Sequence, residues 1–92
     1  MSNPTSVWIF VGTGAKFPSG VFASVTDAET WIAEHRLTGV LTKYRVGVGT
    51  FDQALQEGIF EPKHERERSP EFIARFSSAS QEHYHYEDGE RD

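Results

Sequence analysis

The segment from Val7 to Leu41 constrains the fold of this chain more than any other. It opens with Val7-Trp-Ile-Phe-Val11, in which β-branched and aromatic residues occupy both alternating faces. Such a run suits a central strand with packing on each side, or one face half covered. Val21 to Ala23 predicts a second, short strand. An amphipathic helix then follows. Thr26 with Glu29 has the spacing of a capping box, and Asp27 and Glu29 favour the positive end of the helix dipole. Ala28, Trp31, Ile32 and His35 recur at i, i+3, i+4 and i+7, one stripe facing the sheet. Gly39 is positioned to end that helix. Val40 to Val48 predicts a third strand. Thr42, Tyr44, Val46 and Val48 share one face; Leu41, Lys43 and Arg45 share the other, which reads as wet over most of its length.

The loop Gly12–Gly20 is long for a hairpin. Gly12-x-Gly14 after a strand has the start of a phosphate-binding pattern. No third glycine, Lys-Ser/Thr pair or following helix completes it, so the glycines read as turn residues. Phe17, in the same loop, is expected to tuck back onto the sheet.

Beyond the third strand, Thr50 and Gln53 repeat the capping-box spacing and open a short helix through Glu57, with Gly58 closing it. Phe51, Ala54 and Leu55 form its apolar stripe, and Ile59 and Phe60 are expected in the core. Glu61 to Arg68 is charged without apolar period and reads as a solvated loop. Ser69-Pro70 starts a third helix with an apolar face of Phe72, Ile73 and Phe76. Gln81 to Glu87 alternates as a last strand.

Together these elements predict one α+β domain over residues 6–87, with residues 1–5 and 88–92 as flexible tails. The expected order is β-β-α-β-α-α-β: an antiparallel sheet of three to four strands with two to three helices packed mainly on one face.

At 92 residues the chain has room for little more than one core. It lacks cysteine, which removes disulfides, thiolate metal sites and thiol nucleophiles, and fits a cytoplasmic setting. Its start has no secretory-signal pattern, and no apolar run reaches the ~20 residues of a membrane span, so no membrane association is expected. The net charge of −5 is concentrated toward the end: residues 1–60 carry −1 and residues 61–92 carry −4. An acidic balance disfavours nucleic acid, whose binding rests on phosphate neutralisation. A basic partner, or simple solubility, suits it better.

The most suggestive polar pattern is Glu82-His-Tyr-His-Tyr-Glu87. In an extended strand His83, His85 and Glu87 point to one side and both tyrosines to the other. Two imidazoles and a carboxylate form the ligand set of an open three-ligand zinc site. The competing expectation is a strand with tyrosines packed inward and histidines facing water. Ser77, Ser78 and Ser80 lie near these histidines in sequence, but no nucleophile-elbow glycines flank them, and helix termination accounts for them more simply. Arg75, set among Phe72, Ile73 and Phe76, has the character of an interface anchor, with an ion pair to Glu71 as the alternative.

Several stretches together resemble a known family: Val7-Trp-Ile-Phe, Phe17-Pro-Ser-Gly-Val-Phe22, Trp31-Ile32, and Phe76-Ser-Ser-Ala-Ser-Gln-Glu-His-Tyr-His-Tyr-Glu87. The chain is similar to a small family of uncharacterised bacterial proteins, classed as a domain of unknown function, from Val7 to Glu87. It departs at Arg45, where relatives often carry Pro, and at Gln53, where they often carry Trp. No aromatic surface on the second helix is therefore carried over. The resemblance implies a stand-alone bacterial domain and assigns no catalytic residue.

The functional expectation is a non-enzymatic protein-binding module of a bacterial cytosolic system, adaptor-like or immunity-like, requiring no cofactor. Phe17, Arg75, His83 and His85 are its candidate interaction residues. The alternative is a small metal-binding protein or hydrolase using His83, His85 and Glu87. The chain is expected as a monomer or weak homodimer, with exposed edges at Val21–Ala23 and His83–Tyr86 as the candidate contacts.

Overall fold

The reason β1 (Ser6–Gly12) lies inside the sheet is visible in its pairing. It hydrogen-bonds antiparallel to β2 (Gly20–Phe22) on one side and to β3 (Gly39–Arg45) on the other. In this computed structural model, which describes residues 5–92, β3 also pairs with β4 (His83–Glu87), and β4 with β5 (Glu90–Arg91). The sheet is five-stranded and antiparallel, in the order β2-β1-β3-β4-β5. The expected tail 1–5 lies, but for Thr5, outside the described residues.

The chain forms two compact units. One runs up to Val46 and resumes at Glu82–Asp92; it holds the whole sheet and α1 (Val25–His35). The other, Gly47–Gln81, holds α2 (Thr50–Gln56) and α3 (Pro70–Arg75).

In the sheet unit, α1 packs on the face formed by Trp8, Phe10, Leu41 and Tyr86, and buries Ala28 and Ile32 completely. Phe10, Ile32 and Leu41 are the largest fully buried side chains. Trp31 flanks this core, meeting Phe10 edge-on at 5.8 Å and Phe22 at 5.3 Å. Burying one large apolar side chain contributes about 1.5–3 kcal/mol, so these few residues dominate the stability of so small a unit. The face of β3 that reads as wet from Lys43 and Arg45 is therefore the one that carries the core, because Leu41 alone sits under α1.

The helix boundaries are reset by local hydrogen bonding. Ser24 is the cap of α1, its Oγ accepting from the Asp27 N–H at 3.1 Å; Thr26 lies inside the helix. Arg36 takes the left-handed conformation (φ 55°) that ends α1, with the Leu37 N–H bonded to Ile32 O at 2.9 Å. Gly39 is spent differently. A Cβ there would meet the Val11 carbonyl oxygen, with Phe10 Cζ at 2.7 Å and Gly12 Cα at 2.8 Å. The glycine is required by the close approach of β3 to β1, not by the helix end. His35, expected on the buried stripe, is exposed, with a ring contact to Trp31 at 5.9 Å.

The fifth strand is the main departure from the predicted fold. Asp88 (φ 50°) and Gly89 (φ 87°) form a two-residue reversal with Glu87 opposite Glu90, the left-handed pair that matches strand twist. The Gly89 N–H bonds Leu37 O at 2.8 Å and the Asp88 N–H bonds Thr38 Oγ1 at 3.0 Å. What reads as a polar tail is thus a docked hairpin.

Gly39→Ala is expected to destabilise the chain by about 1–3 kcal/mol, the usual cost of forcing atoms into a filled site, because backbone atoms are among those it strikes. Urea denaturation of the two proteins measures it; an unchanged midpoint would mean that β1 and β3 separate at no cost.

Candidate functional site

The unit Gly47–Gln81 is organised by four of the seven phenylalanines in the chain. Phe51 is buried on α2, which starts after Gly49 with no side-chain cap, so the capping-box expectation at Thr50 is not met. Gly58 (φ 70°) turns the chain, and the Ile59 and Phe60 N–H groups both bond Ala54 O, at 2.9 and 3.3 Å. That turn delivers Phe60 to Phe51, 5.9 Å between rings. The charged stretch that follows is not featureless. Glu65–Arg68 forms a 3-10 turn, and Glu67 Oε1 accepts from the Lys63 and His64 N–H groups at 2.8 and 3.0 Å. Ser69 and Pro70 start α3 as expected: Ser69 Oγ accepts from the Phe72 N–H at 3.2 Å. One turn of α3 then sets Phe72 and Phe76 side by side.

The rings form a continuous cluster. Phe76 lies 5.4 Å from Phe51 and 5.0 Å from Phe60, and Phe60 stacks on Phe72 at 5.7 Å. Each such pair is worth about 0.5–1.5 kcal/mol beyond simple burial. Packing stays incomplete on one side. There Ile59, Phe60, Phe72 and Phe76 line an open groove of about 710 Å³, with Arg66, Arg75, Glu71 and the Ser77–Ala79 segment also on its walls. Ile59, expected in the core, is 50% exposed. The volume falls in the range of ligand-binding clefts, about 300–1,000 Å³. Among the described residues neither Arg66 nor Arg75 forms a salt bridge, and the ion pair to Glu71, the alternative reading of Arg75, is not made. The groove therefore joins apolar rings to two arginines, in a chain whose net charge is −5. No histidine lines it, so the neighbouring serines have no imidazole base within the groove.

The other sequence candidates lie elsewhere. Phe17 does not tuck onto the sheet; it is 77% exposed in the β1–β2 loop. His83 and His85 are exposed on β4, rings 5.3 Å apart, on the face opposite Tyr84 and Tyr86. Among the described residues no group of three or more histidine or acidic side chains comes together as a metal site, so Glu87 does not complete the expected ligand set. Phe17 and the two histidines are separated by the intervening strands β1 and β3 and form no common patch. Of these candidates, Arg75 lines the groove. Its partners there, Arg66 and the exposed Ile59, were legible only as the density of phenylalanine between residues 51 and 76.

The tyrosines of β4 carry the strongest electrostatics. Glu29 Oε2, on α1, accepts from the Tyr86 hydroxyl at 2.6 Å, from Arg91 Nε at 2.7 Å, and pairs with Arg91 Nη2 at 2.6 Å. The Arg91 guanidinium lies 3.8 Å over the Tyr84 ring, which stacks on Trp8 at 5.6 Å. Burial, then the hydrogen bond to Glu29, pushes the Tyr86 phenol up to about 12. Tyr86 and then Arg91 hold the Glu29 carboxyl below its ordinary value, against the opposing effect of burial. Every member is paired with another, so the network is a clamp between α1 and the C-terminal hairpin, with no group directed at a substrate.

The family model described as Domain of unknown function (DUF7710) matches residues 7–92, which bears out the resemblance to a domain-of-unknown-function family. No curated protein and no solved structure matches the chain. Among the described residues no helix is long and apolar enough to cross a membrane.

The clamp gives stability an alkaline limit. Because the folded pKa of Tyr86 lies above its unfolded value of 10, its contribution is complete below pH 10 and lost as pH rises toward 12, at most about 3 kcal/mol. Absorbance titration at the phenolate band should show Tyr84 and Tyr86 both ionising late, the first held up by its hydrogen bond to Glu82, and Tyr86→Phe should remove the latest step and the matching loss of stability. Glu29 has the opposite sign: its contribution is present above the unfolded carboxylate pKa and lost as pH falls through the depressed folded value.

Proposed function

We propose that this chain, which belongs to the DUF7710 family, is a non-enzymatic protein-binding module whose docking site is the phenylalanine groove of residues 47–81. The single observation behind this reading is an open apolar groove with Arg66 and Arg75 on its walls. The occupant is a short segment of a partner protein that inserts an apolar side chain against Phe60, Phe72 and Phe76 and offers a carboxylate to the arginines. Charge selects it. Two guanidinium groups against the one carboxylate of Glu71 leave the lining positive while the chain as a whole is acidic. Guanidinium binds carboxylate through paired hydrogen bonds, and arginine beside aromatic rings is the composition of interface anchors.

This revises the basic partner expected from overall charge. Net charge governs long-range approach, whereas the contact itself is set by the groups within a few ångströms. An adaptor-like or immunity-like role in a bacterial cytoplasm is consistent with the module, and the cysteine-free composition supports that compartment.

Selection of a random displayed-peptide library against the folded chain tests the reading. The enriched peptides are expected to combine apolar residues with Asp, Glu or a free C-terminus. In a heteronuclear NMR titration they should shift the resonances of Ile59, Phe72 and Phe76. Arg75→Glu and Ile59→Glu are each expected to weaken binding at least tenfold, the loss of one charge-assisted contact or one buried apolar side chain. Both residues are exposed, so thermal stability should hold. Enrichment of peptides lacking acidic groups, or binding indifferent to both substitutions, would reject the groove.

A further inference from the structure

The two edges of the sheet are defended very differently. At one end β5 is two residues long and both are charged, Glu90 and Arg91. Short charged strands are how antiparallel sheets avoid edge-to-edge pairing. At the other end β2 is Gly20-Val21-Phe22, without a charge. The whole stretch Gly12–Ser24 carries only Lys16. Val21 is 62% exposed, and exposed Phe17 precedes it in the same segment.

The ladder shows which backbone groups this edge offers. The Val46 N–H bonds Thr5 O at 2.9 Å and the Thr13 N–H bonds Thr38 O at 3.1 Å, extending the register of β1 with β3 at both ends. Odd-numbered residues of β1 therefore make the hydrogen-bonded pairs with β3, and even-numbered residues turn to β2. Trp8 and Phe10 face Phe22 and Gly20, so those two residues of β2 are the bonded ones. Val21, between them, directs its N–H and C=O away from the sheet.

We infer that β2 is a self-pairing edge: two copies of this chain join antiparallel through Val21 about a two-fold axis, forming one continuous sheet. The edge is self-complementary there. In a two-fold arrangement Val21 opposite Val21 exchanges both N–H···O bonds, and the two exposed isopropyl groups meet on one face. Two chains of net charge −5 can meet there because no acidic side chain lies between Gly12 and Ser24. The structure also narrows the choice of edge. Of the two candidates in the sequence, His83–Tyr86 is excluded as a free edge over its second half, since β5 pairs with Tyr86 and the Asp92 N–H bonds His85 O at 2.9 Å. The contact uses no residue of the phenylalanine groove.

Sedimentation equilibrium across a concentration series is expected to show a reversible monomer–dimer equilibrium for the native chain. Val21→Lys should raise the dissociation constant at least tenfold with an unchanged circular dichroism spectrum, and Val21→Thr should retain association. On the native chain itself, exchange of the Val21 amide hydrogen should slow as concentration rises, while a solvent-exposed loop amide such as that of Gly14 should not change. A native chain that stays monomeric at the highest concentration, a dimer untouched by Val21→Lys, or a Val21 amide insensitive to concentration would overturn the inference.

Discussion

One eleven-residue helix has to cover a face of a five-stranded sheet, and most of the sheet unit follows from that constraint. A helix of that length is about 16 Å long and 10 Å wide. Five strands spaced about 4.8 Å apart span nearly 20 Å. Aliphatic side chains under the helix cannot close that area. The unit closes it with rings: Trp31 extends the cover toward β2 through Phe10 and Phe22, and Trp8, Tyr84 and Tyr86 extend it toward β5. Ala28 and Ile32 hold the centre because a small and a branched side chain let the helix sit close to Phe10 and Leu41.

Polar groups at the far side complete the cover. Tyr86 is nearly fully buried, and its hydroxyl reaches Glu29 at the helix surface. Arg91 satisfies the same carboxylate while its guanidinium plane covers Tyr84. Removing one member would strand the others in a partly dry setting, which is why the clamp is worth more than an exposed ion pair such as Lys43–Glu82, 4.0 Å apart. The contrast with Arg66 and Arg75 is functional. Arg91 is consumed by the fold, whereas the groove arginines stand beside half-buried rings without a salt-bridge partner among the described residues.

Much of the architecture was legible in the residues. The alternation in Val7–Val11 and His83–Glu87, the stripe of Ala28 and Ile32, and Ser69-Pro70 each identified the right element. Errors gathered where one residue had two uses. Glu29 fits a capping box by spacing, but a carboxylate one turn into a helix is also free to reach across, and Tyr86 and Arg91 claim it. Gly39 fits a helix end, but a glycine is also what two closely approaching strands require. The Asp88-Gly89 pair was a signal in plain view: this dipeptide after an alternating strand is a hairpin turn, and it was masked by the polarity of the residues around it.

Sequence by itself determined most of the elements: four of the five strands, the three α-helices, where α3 starts, and that one strand carries tyrosines on one side and histidines on the other. These are consequences of periods of 2 and 3.6 residues and of backbone capping, all local. Tertiary structure decided which face of each element is buried and what its polar groups do. Leu41 outweighs Lys43 and Arg45 because α1 lies above it. Phe17 and Ile59 face outward although their hydrophobicity suggested the core for both. The sites follow the same division. The phenylalanines of residues 51–76 are countable in the chain, but a groove exists only because packing four rings from separate elements leaves one side open, with Arg66 and Arg75 beside it.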